Sequence, residues 1–350
     1  MSEALLESGA GARRSAAAVW LGLILTLVVV AVFSLGVGRY SVPLAHVVGI
    51  VASWIMPLDA FWSGTEARVV EAVRAPRIML AVLGGAGLAM SGAALQGTFR
   101  NPLVAPNILG VSSGAAFGGV LGLLLSDGGI VVMALAFAFG VAATVIVFWL
   151  GRFGGHSHVL SLVLSGIVVG AFFSALVTLV TFVADPYDKL PAIVFWLMGS
   201  FASATHDKVV LVALPVLGGM ALLFVLRWRI NVLSLGDEEA QALGISVERT
   251  RWLILLAVAA VTAAMVAVSG VIGWVGLVIP HFARILVGAD HRRLLPASML
   301  LGAGYLLLID NVARAATPAE IPIGVLTAVL GAPVFAFLLR RNQARDWANA

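Results

Sequence analysis

The sequence predicts an all-α, polytopic membrane protein with about ten transmembrane helices. Composition, a series of ten apolar stretches, and the placement of basic residues between them predict it. Of 350 residues, 61% are apolar and 11% charged, and the mean hydropathy is +1.08. A water-soluble domain is typically about 45–50% apolar and about 25% charged. One aqueous core cannot hide that difference, whereas a lipid bilayer tolerates it. The absence of cysteine excludes disulfides, thiolate metal sites and a cysteine nucleophile. A net charge of +4 is too small to point to nucleic acid.

The elements follow in order. Residues 1–17 read as an N-terminal tail, and the first apolar stretch covers 18–37. A cleaved leader has an apolar region of about 7–15 residues. The run Ala16–Gly38 is longer, so it reads as a retained span. Further stretches fall at 78–97, 109–125, 129–150, 159–184, 208–226, 252–270, 273–288, 294–312 and 321–339. Gly270, Gly273 and Pro280 interrupt one pair, so 273–288 is either a span or a re-entrant piece. Pro191–Ala202 is too short to cross. It reads as a short re-entrant helix after the fifth span, which is tolerated only where protein or a cavity surrounds it. Residues 18–340 form one membrane domain, and 341–350 form a C-terminal tail. Loop 38–72 yields no pattern.

Ten spans put both termini on one side. That side collects 14 of the 21 lysines and arginines, and the positive-inside rule makes it cytoplasmic.

Glycines and hydroxyls form two stripes. Gly110, Gly114, Gly118 and Gly122 repeat every fourth residue, which lets a neighbouring helix approach closely. Gly166, Gly170, Ser174 and Thr178 make a face that becomes polar along the fifth span. It suits either packing or a wet pathway. Ionisable residues deep in the spans are scarce. Arg284 lies toward a span end and can snorkel. Asp310 is the main exception, with Arg314 four residues on, a spacing suited to a structural ion pair or to a coupling acid. His281 has no metal-ligating neighbour in the pattern and reads as a packed residue.

Energy therefore has to come from elsewhere. A P-loop needs Gly-Lys followed by Ser or Thr, and the only lysines, Lys189 and Lys208, each follow Asp. ATP, if used, is hydrolysed by a partner. The longest cytoplasmic segment, 227–251, offers a docking element. There Asp237 can cap a short helix, Glu238 and Glu239 suit its positive end, and Gly244 can terminate it. Ala240, Ala242 and Leu243 would be exposed apolar residues suited to a partner.

Ordered motifs then extend from about residue 70 to 340. They run Arg74-Ala75-Pro76-Arg77, Gly92-Ala93-Ala94-Leu95-Gln96-Gly97, Arg100-Asn101-Pro102-Leu103 and Phe195-Trp196-Leu197-Met198-Gly199-Ser200. Leu235-Gly236-Asp237, Gly273-Trp274-Val275-Gly276, Pro280-His281, Glu320-Ile321-Pro322-Ile323-Gly324 and Gly331-Ala332-Pro333 complete them. Together they resemble the FecCD-type permeases, the membrane subunits of type II ATP-binding-cassette importers for ferric siderophores, haem and vitamin B12.

The resemblance implies a homodimer in the bacterial inner membrane with the pathway on its axis. It also implies two ATPase subunits and a periplasmic or lipid-anchored binding protein, with no cofactor and no metal ligand in the chain. ATPase coupling would fall to Gly236, Asp237, Glu238, Glu239, Ala240, Leu243 and Gly244. Arg74, Arg77 and Arg314, all outward in the counted topology, would form a rim that receives the binding protein. Gly166, Gly170, Ser174, Thr178 and Trp196 would line the pathway, and Ser157, His158 and Val159 would form the cytoplasmic gate. The expected cargo is an iron chelate, first of all a ferric siderophore, with haem or cobalamin as alternatives. A reading of another class is an ion-coupled secondary transporter using Asp310. A structural scaffold would leave the coupling motif without a purpose.

Overall fold

The computed structural model describes residues 2–126, 129–153, 156–157 and 159–348. Among these the regular structure is helical, apart from a hairpin of two-residue strands, β1 (Arg152–Phe153) and β2 (His156–Ser157). Helix α1 runs over Ser2–Gly36, so the expected N-terminal tail continues the first span as helix. Helix α2 (Leu44–Ser53) falls within the loop that had no pattern.

The second long element starts much earlier than its apolar stretch. Helix α3 (Gly64–Arg68) begins at a capping box, in which the Ser63 hydroxyl accepts from the Glu66 N–H and the Glu66 carboxylate accepts from the Ser63 N–H. Each satisfies a donor that a helix start leaves open. A π-helical turn, Val69–Arg74, follows, and then α4 (Ala75–Thr98). Pro76 has no N–H to offer and its ring crowds the preceding turn. The wider turn accommodates it, with the Ala75 N–H bonded to the Val70 carbonyl.

The remaining helices are α5 (Val111–Leu125), α6 (Gly129–Leu150), α7 (Val159–Val183), α8 (Lys189–Leu197) and α9 (His206–Leu233). They continue with α10 (Asp237–Ala242), α11 (Val247–Ser269), α12 (Val275–Val287), α13 (His291–Ala315) and α14 (Ile323–Ala348). Seven described helices are long and apolar enough to cross a membrane, while α2, α5, α12 and the apolar part of α14 are shorter. The 13 residues of α12 extend about 20 Å at ~1.5 Å each, against a hydrocarbon layer of about 30 Å. The stretch 273–288 is therefore a short helix preceded by irregular chain.

Helix α4 sits at the centre, packed against α9, α11, α12 and α13. Glycines make this possible. A Cβ on Gly85 would lie 2.1 Å from the Gly302 carbonyl oxygen of α13, and one on Gly92 would lie 1.8 Å from that of Gly276 on α12. The stripe on α5 does what its spacing predicts. Cβ atoms on Gly114, Gly118 and Gly122 would lie within 2.6 Å of atoms of α6, two of them backbone oxygens. Apolar solvent supplies no drive to join apolar helices, so this close contact is what holds them.

Irregular backbone is confined to places where protein satisfies it. The Ser200 N–H bonds to the Ser269 carbonyl at 2.7 Å, the Ile323 N–H to Gly199 at 2.8 Å and the Gly324 N–H to Met198 at 3.0 Å. Three breaks, after α8, after α11 and before α14, thus close on one another. Gly199 (φ +76°) and Gly270 (φ +68°) adopt a conformation that side chains disfavour. A Cβ on Gly270 would also strike the Trp196 carbonyl oxygen at 1.9 Å.

Gly92→Ala should lower the unfolding midpoint in detergent, by the ~1–3 kcal/mol typical of overpacking or more, because the obstacle is backbone. Gly304→Ala on α13, with nothing within 4 Å, should leave the midpoint unchanged or raised. Equal midpoints for the two variants would show that the α4–α12 contact is not limiting.

Candidate functional site

The bundle presents two chemically distinct ends. At the first, α1 ends, the π turn delivers Arg74, the first turn of α4 delivers Arg77, and α13 delivers Asp310 and Arg314. Asp310 is fully buried. Its carboxylate accepts from Arg77 Nε at 2.7 Å and faces Arg314 Nε at 3.4 Å. Arg77 Nη1 also donates to Glu320 at 2.7 Å. Arg314 bonds the carbonyls of Val37 (2.6 Å) and Ser34, and the Asn311 side chain. Arg74 caps the carbonyls of Leu35 and Tyr40. Beyond α1 the exposed carbonyls would lack partners, so these guanidiniums finish that helix.

The three arginines expected at the rim, Arg74, Arg77 and Arg314, meet at one end, where they are 4–6% exposed. They line a narrow cleft of about 240 Å³ with Gly38, Arg39, Tyr40, Val69, Val73 and Glu320. The exposed arginines of that end are Arg39 and Arg68. Asp310, offered above as a coupling acid or a clamp, has the geometry of a clamp between two guanidiniums.

The former blank loop folds over the same end. His46 Nδ1 lies 3.0 Å from Glu66, and Trp54 Nε1 donates to Glu71 at 2.9 Å. His206, at the start of α9, meets the Glu71 carbonyl at 2.8 Å.

At the opposite end stands α10. Asp237 does not cap it. Gly236 holds the N-cap at φ +154°, where a Cβ would lie 1.9 Å from the Glu239 carboxylate. Asp237 is the first helical residue and accepts from buried Arg251 at 2.6 Å. The C-terminus ends as Gly244 predicts. Gly244 (φ +77°) donates to Gln241, and the Ile245 N–H donates to Ala240, both at 2.9 Å, a Schellman closure. Ala240, expected at the surface, is buried under that closure. Glu238, Glu239, Ala242 and Leu243 do face outward.

The segment expected to hold the gate overlaps the β1–β2 hairpin. Ser157 pairs in backbone register with Arg152, Val159 opens α7, and His158 lies outside the described residues. Arg152 Nε reaches Glu248 of α11 at 2.6 Å, tying the hairpin to the helix that follows α10. Asn231 of α9 donates to Asp290, which also caps α13 through the Arg292 N–H. Burial opposes the Asp290 carboxylate charge. The Arg292 N–H, the Asn231 amide and the charges of Arg292 and Arg293 outweigh it and hold the pKa below the ordinary value.

The residues expected to line a pathway divide. A Cβ on Gly166 would lie 2.2 Å from the Ile108 carbonyl oxygen, so Gly166 is a packing residue, and Gly170 is half-buried beside Ser113 and Gly110. Ser174 and Thr178 face out of the chain. A four-residue repeat drifts around a helix of 3.6 residues per turn, which carries the stripe from a buried to an open face. Trp196 is half-buried with its ring over Gly119 of α5.

Sequence reasoning missed a polar cleft of about 790 Å³ beside α12, lined among others by Gln96, Arg100, Asn101, His281, Arg284 and His291. Arg284 Nη2 donates to Gln96 at 3.2 Å. The pairing of an intramembrane Arg284 with a motif glutamine was the available signal.

Comparison with known proteins places these ends in a family context. The model of the FecCD transport family matches residues 25–341. The molybdate import system permease protein of Haemophilus influenzae is 47% identical over 320 residues, covering 91% of this chain and 94% of that protein. The cobalamin import system permease protein of Halobacterium salinarum is 42% identical over 296 residues, covering 84% and 79%. A solved structure described as an inward-facing conformation of an ABC transporter of the metal-chelate type superposes with a TM-score of 0.83. It is 44% identical and covers 92% of this chain and 99% of its own.

Removing Asp310 leaves two buried guanidiniums short of a counter-charge. Asp310→Asn should cost about 3–5 kcal/mol, as breaking buried pairs does, read as lost folded yield or a lower melting midpoint. Glu248→Gln, at a half-exposed pair, should cost no more than about 1 kcal/mol. Equal costs would refute the clamp.

Proposed function

We infer, from the premise that the chain belongs to the FecCD transport family, that it is the membrane-spanning permease subunit of an ATP-binding-cassette importer. Two copies would form the pathway, each crossing the bacterial inner membrane ten times with both termini in the cytoplasm. ATP would be hydrolysed on two separate ATPase subunits. A periplasmic or lipid-anchored protein would deliver cargo at the end that carries Arg74, Arg77 and Arg314.

One observation carries the reading. The short helix α10 is flanked by exposed apolar side chains at a polar bundle end: Leu235, just before its N-cap, is 62% exposed and Leu243, its C-cap, 57%. Its caps and its Asp237–Arg251 ion pair fix it to α11, so force on its outer face reaches the bundle. That is what a partner ATPase needs from a docking element. The Arg152–Glu248 pair extends the link to the hairpin of Ser157, where the gate is proposed together with His158 and Val159. Binding and closure of the partner would shift the population between outward- and inward-facing states.

The delivery role belongs to the mouth of the arginine cleft, where Arg39 is exposed, and to the guanidiniums behind it. Ser174, Thr178 and Trp196 remain the proposed pathway surface, on the open side of α7 and α8. For the cargo we propose an iron chelate, first a ferric siderophore, with haem and cobalamin in the same class. A second reading, molybdate, is favoured by the 47% identical Haemophilus permease.

Leu243→Glu places a charge on the docking face without touching the core. It should abolish co-purification with the ATPase and reduce ATP-dependent uptake by at least about tenfold, the effect of ~1.4 kcal/mol, with the melting midpoint unchanged. Retained association would remove α10 from the docking role. Proteoliposomes carrying the whole complex should accumulate labelled ferric siderophore in preference to molybdate. Preference for molybdate would select the second reading. Gradient-driven uptake by this chain alone would overturn the importer assignment.

A further inference from the structure

The arginine cleft carries more positive charge than its own acids balance. Four guanidiniums line it, from Arg39, Arg74, Arg77 and Arg314, and one carboxylate, Glu320. Asp310 stands behind them. Four positive groups thus meet two negative ones, an excess of two. Two further acids of this end are engaged elsewhere, Glu66 with His46 and Glu71 with Trp54. Arg74 bonds only backbone carbonyls.

Arg39 is exposed, but the charge on Arg74, Arg77 and Arg314 is costly away from water unless something pairs it. Arg77 Nη2 and Arg314 Nε are buried without a hydrogen bond, on side chains 6% and 7% exposed, with Arg314 Nε still 3.4 Å from the Asp310 carboxylate; Asp310 Oδ2 and Glu320 Oε2 lack a hydrogen bond as well. Gly38 keeps space open beside the guanidiniums of Arg74 and Arg314. A Cβ there would lie 2.8 Å from Arg74 Nη2 and 3.4 Å from Arg314 Nη1.

We propose that this cleft binds one small tetrahedral oxyanion of two negative charges, of the sulfate, hydrogen phosphate or molybdate class. Charge, donors and size agree. Guanidiniums present planar pairs of N–H groups that match oxyanion edges. A volume of about 240 Å³ holds about eight waters at ~30 Å³ each. It is too small for the drug-sized ligands that occupy clefts of about 300–1,000 Å³. The site is separate from the cargo pathway proposed above, and its oxyanion comes either free from solution or as the phosphate of a lipid headgroup.

The test uses the purified full chain in neutral detergent, without partners, so it stands or falls independently of the transport assignment. Melting midpoints are compared in sodium sulfate and in sodium chloride at matched ionic strength. Sulfate should raise the midpoint saturably, by about 2–4 °C. Equilibrium dialysis with radiolabelled sulfate should give one ion per chain. Arg39→Gln, at an exposed side chain, should weaken half-saturation about tenfold, as loss of ~1.4 kcal/mol does. Gly38→Ala should weaken it as well, and its midpoint in chloride reports separately on folding. Stabilisation by phosphatidic acid but not by phosphatidylcholine or sulfate would assign the oxyanion to a lipid headgroup. Equal midpoints in all anions and both lipids, or a sulfate response unchanged in both variants, would overturn the proposal.

Discussion

Close backbone packing around α4 is the constraint on which the rest depends. The helix is buried along most of its length, and its neighbours reach it only where glycine removes a side chain. Gly85 meets Gly302, Gly92 meets Gly276, and Gly87 admits Val261. No apolar drive would bring these helices together in lipid, so dispersion at short range has to. Because α4 is fixed, its two ends become fixed points. One end supplies Arg74 and Arg77 to the ion cluster, and the other supplies Gln96 and Arg100 to the polar cleft.

The two ends solve the problem of charge near lipid differently. At the first, charges are buried and cross-linked over long sequence distances, with Asp310 between Arg77 and Arg314. At the second, the contacts are partly wet: the ion pairs Asp237–Arg251 and Arg152–Glu248 and the Asn231–Asp290 hydrogen bond tie short elements to long helices. The first arrangement resists change. The second joins α10, the hairpin and the starts of α11 and α13 through contacts that are at least partly open to solvent.

Local patterns made much of this legible. Composition and apolar runs place the long helices, the four-residue glycine stripe identifies the α5–α6 contact, and Gly244 marks the end of α10. What escaped the sequence depended on distant partners. Arg77 finds Asp310 across 233 residues, so three arginines that look like a surface rim are interior. Asp237 has the spacing of a cap, yet Arg251 outcompetes the backbone for it and Gly236 takes the cap. The polar start at Gly64 hid behind hydropathy, since a capping box and a π turn carry no apolar signal. The stripe on α7 was read as one face, but its drift splits Gly166 from Thr178.

The three breaks that bond to one another, at 198–200, 269–270 and 323–324, have a mechanical implication. A half-helix ending in free chain could swing alone. Here α8 is stitched through Gly199 and Met198 to the start of α14, and through Ser200 to the end of α11. These pieces share hydrogen bonds with no slack, and Gly199, Gly270 and Gly324 leave no room for sliding. Any displacement of α8 must therefore be transmitted to α14 as to the other arm of a lever. The joint sits where the chain leaves helical geometry, and the long helices on either side act as its shafts.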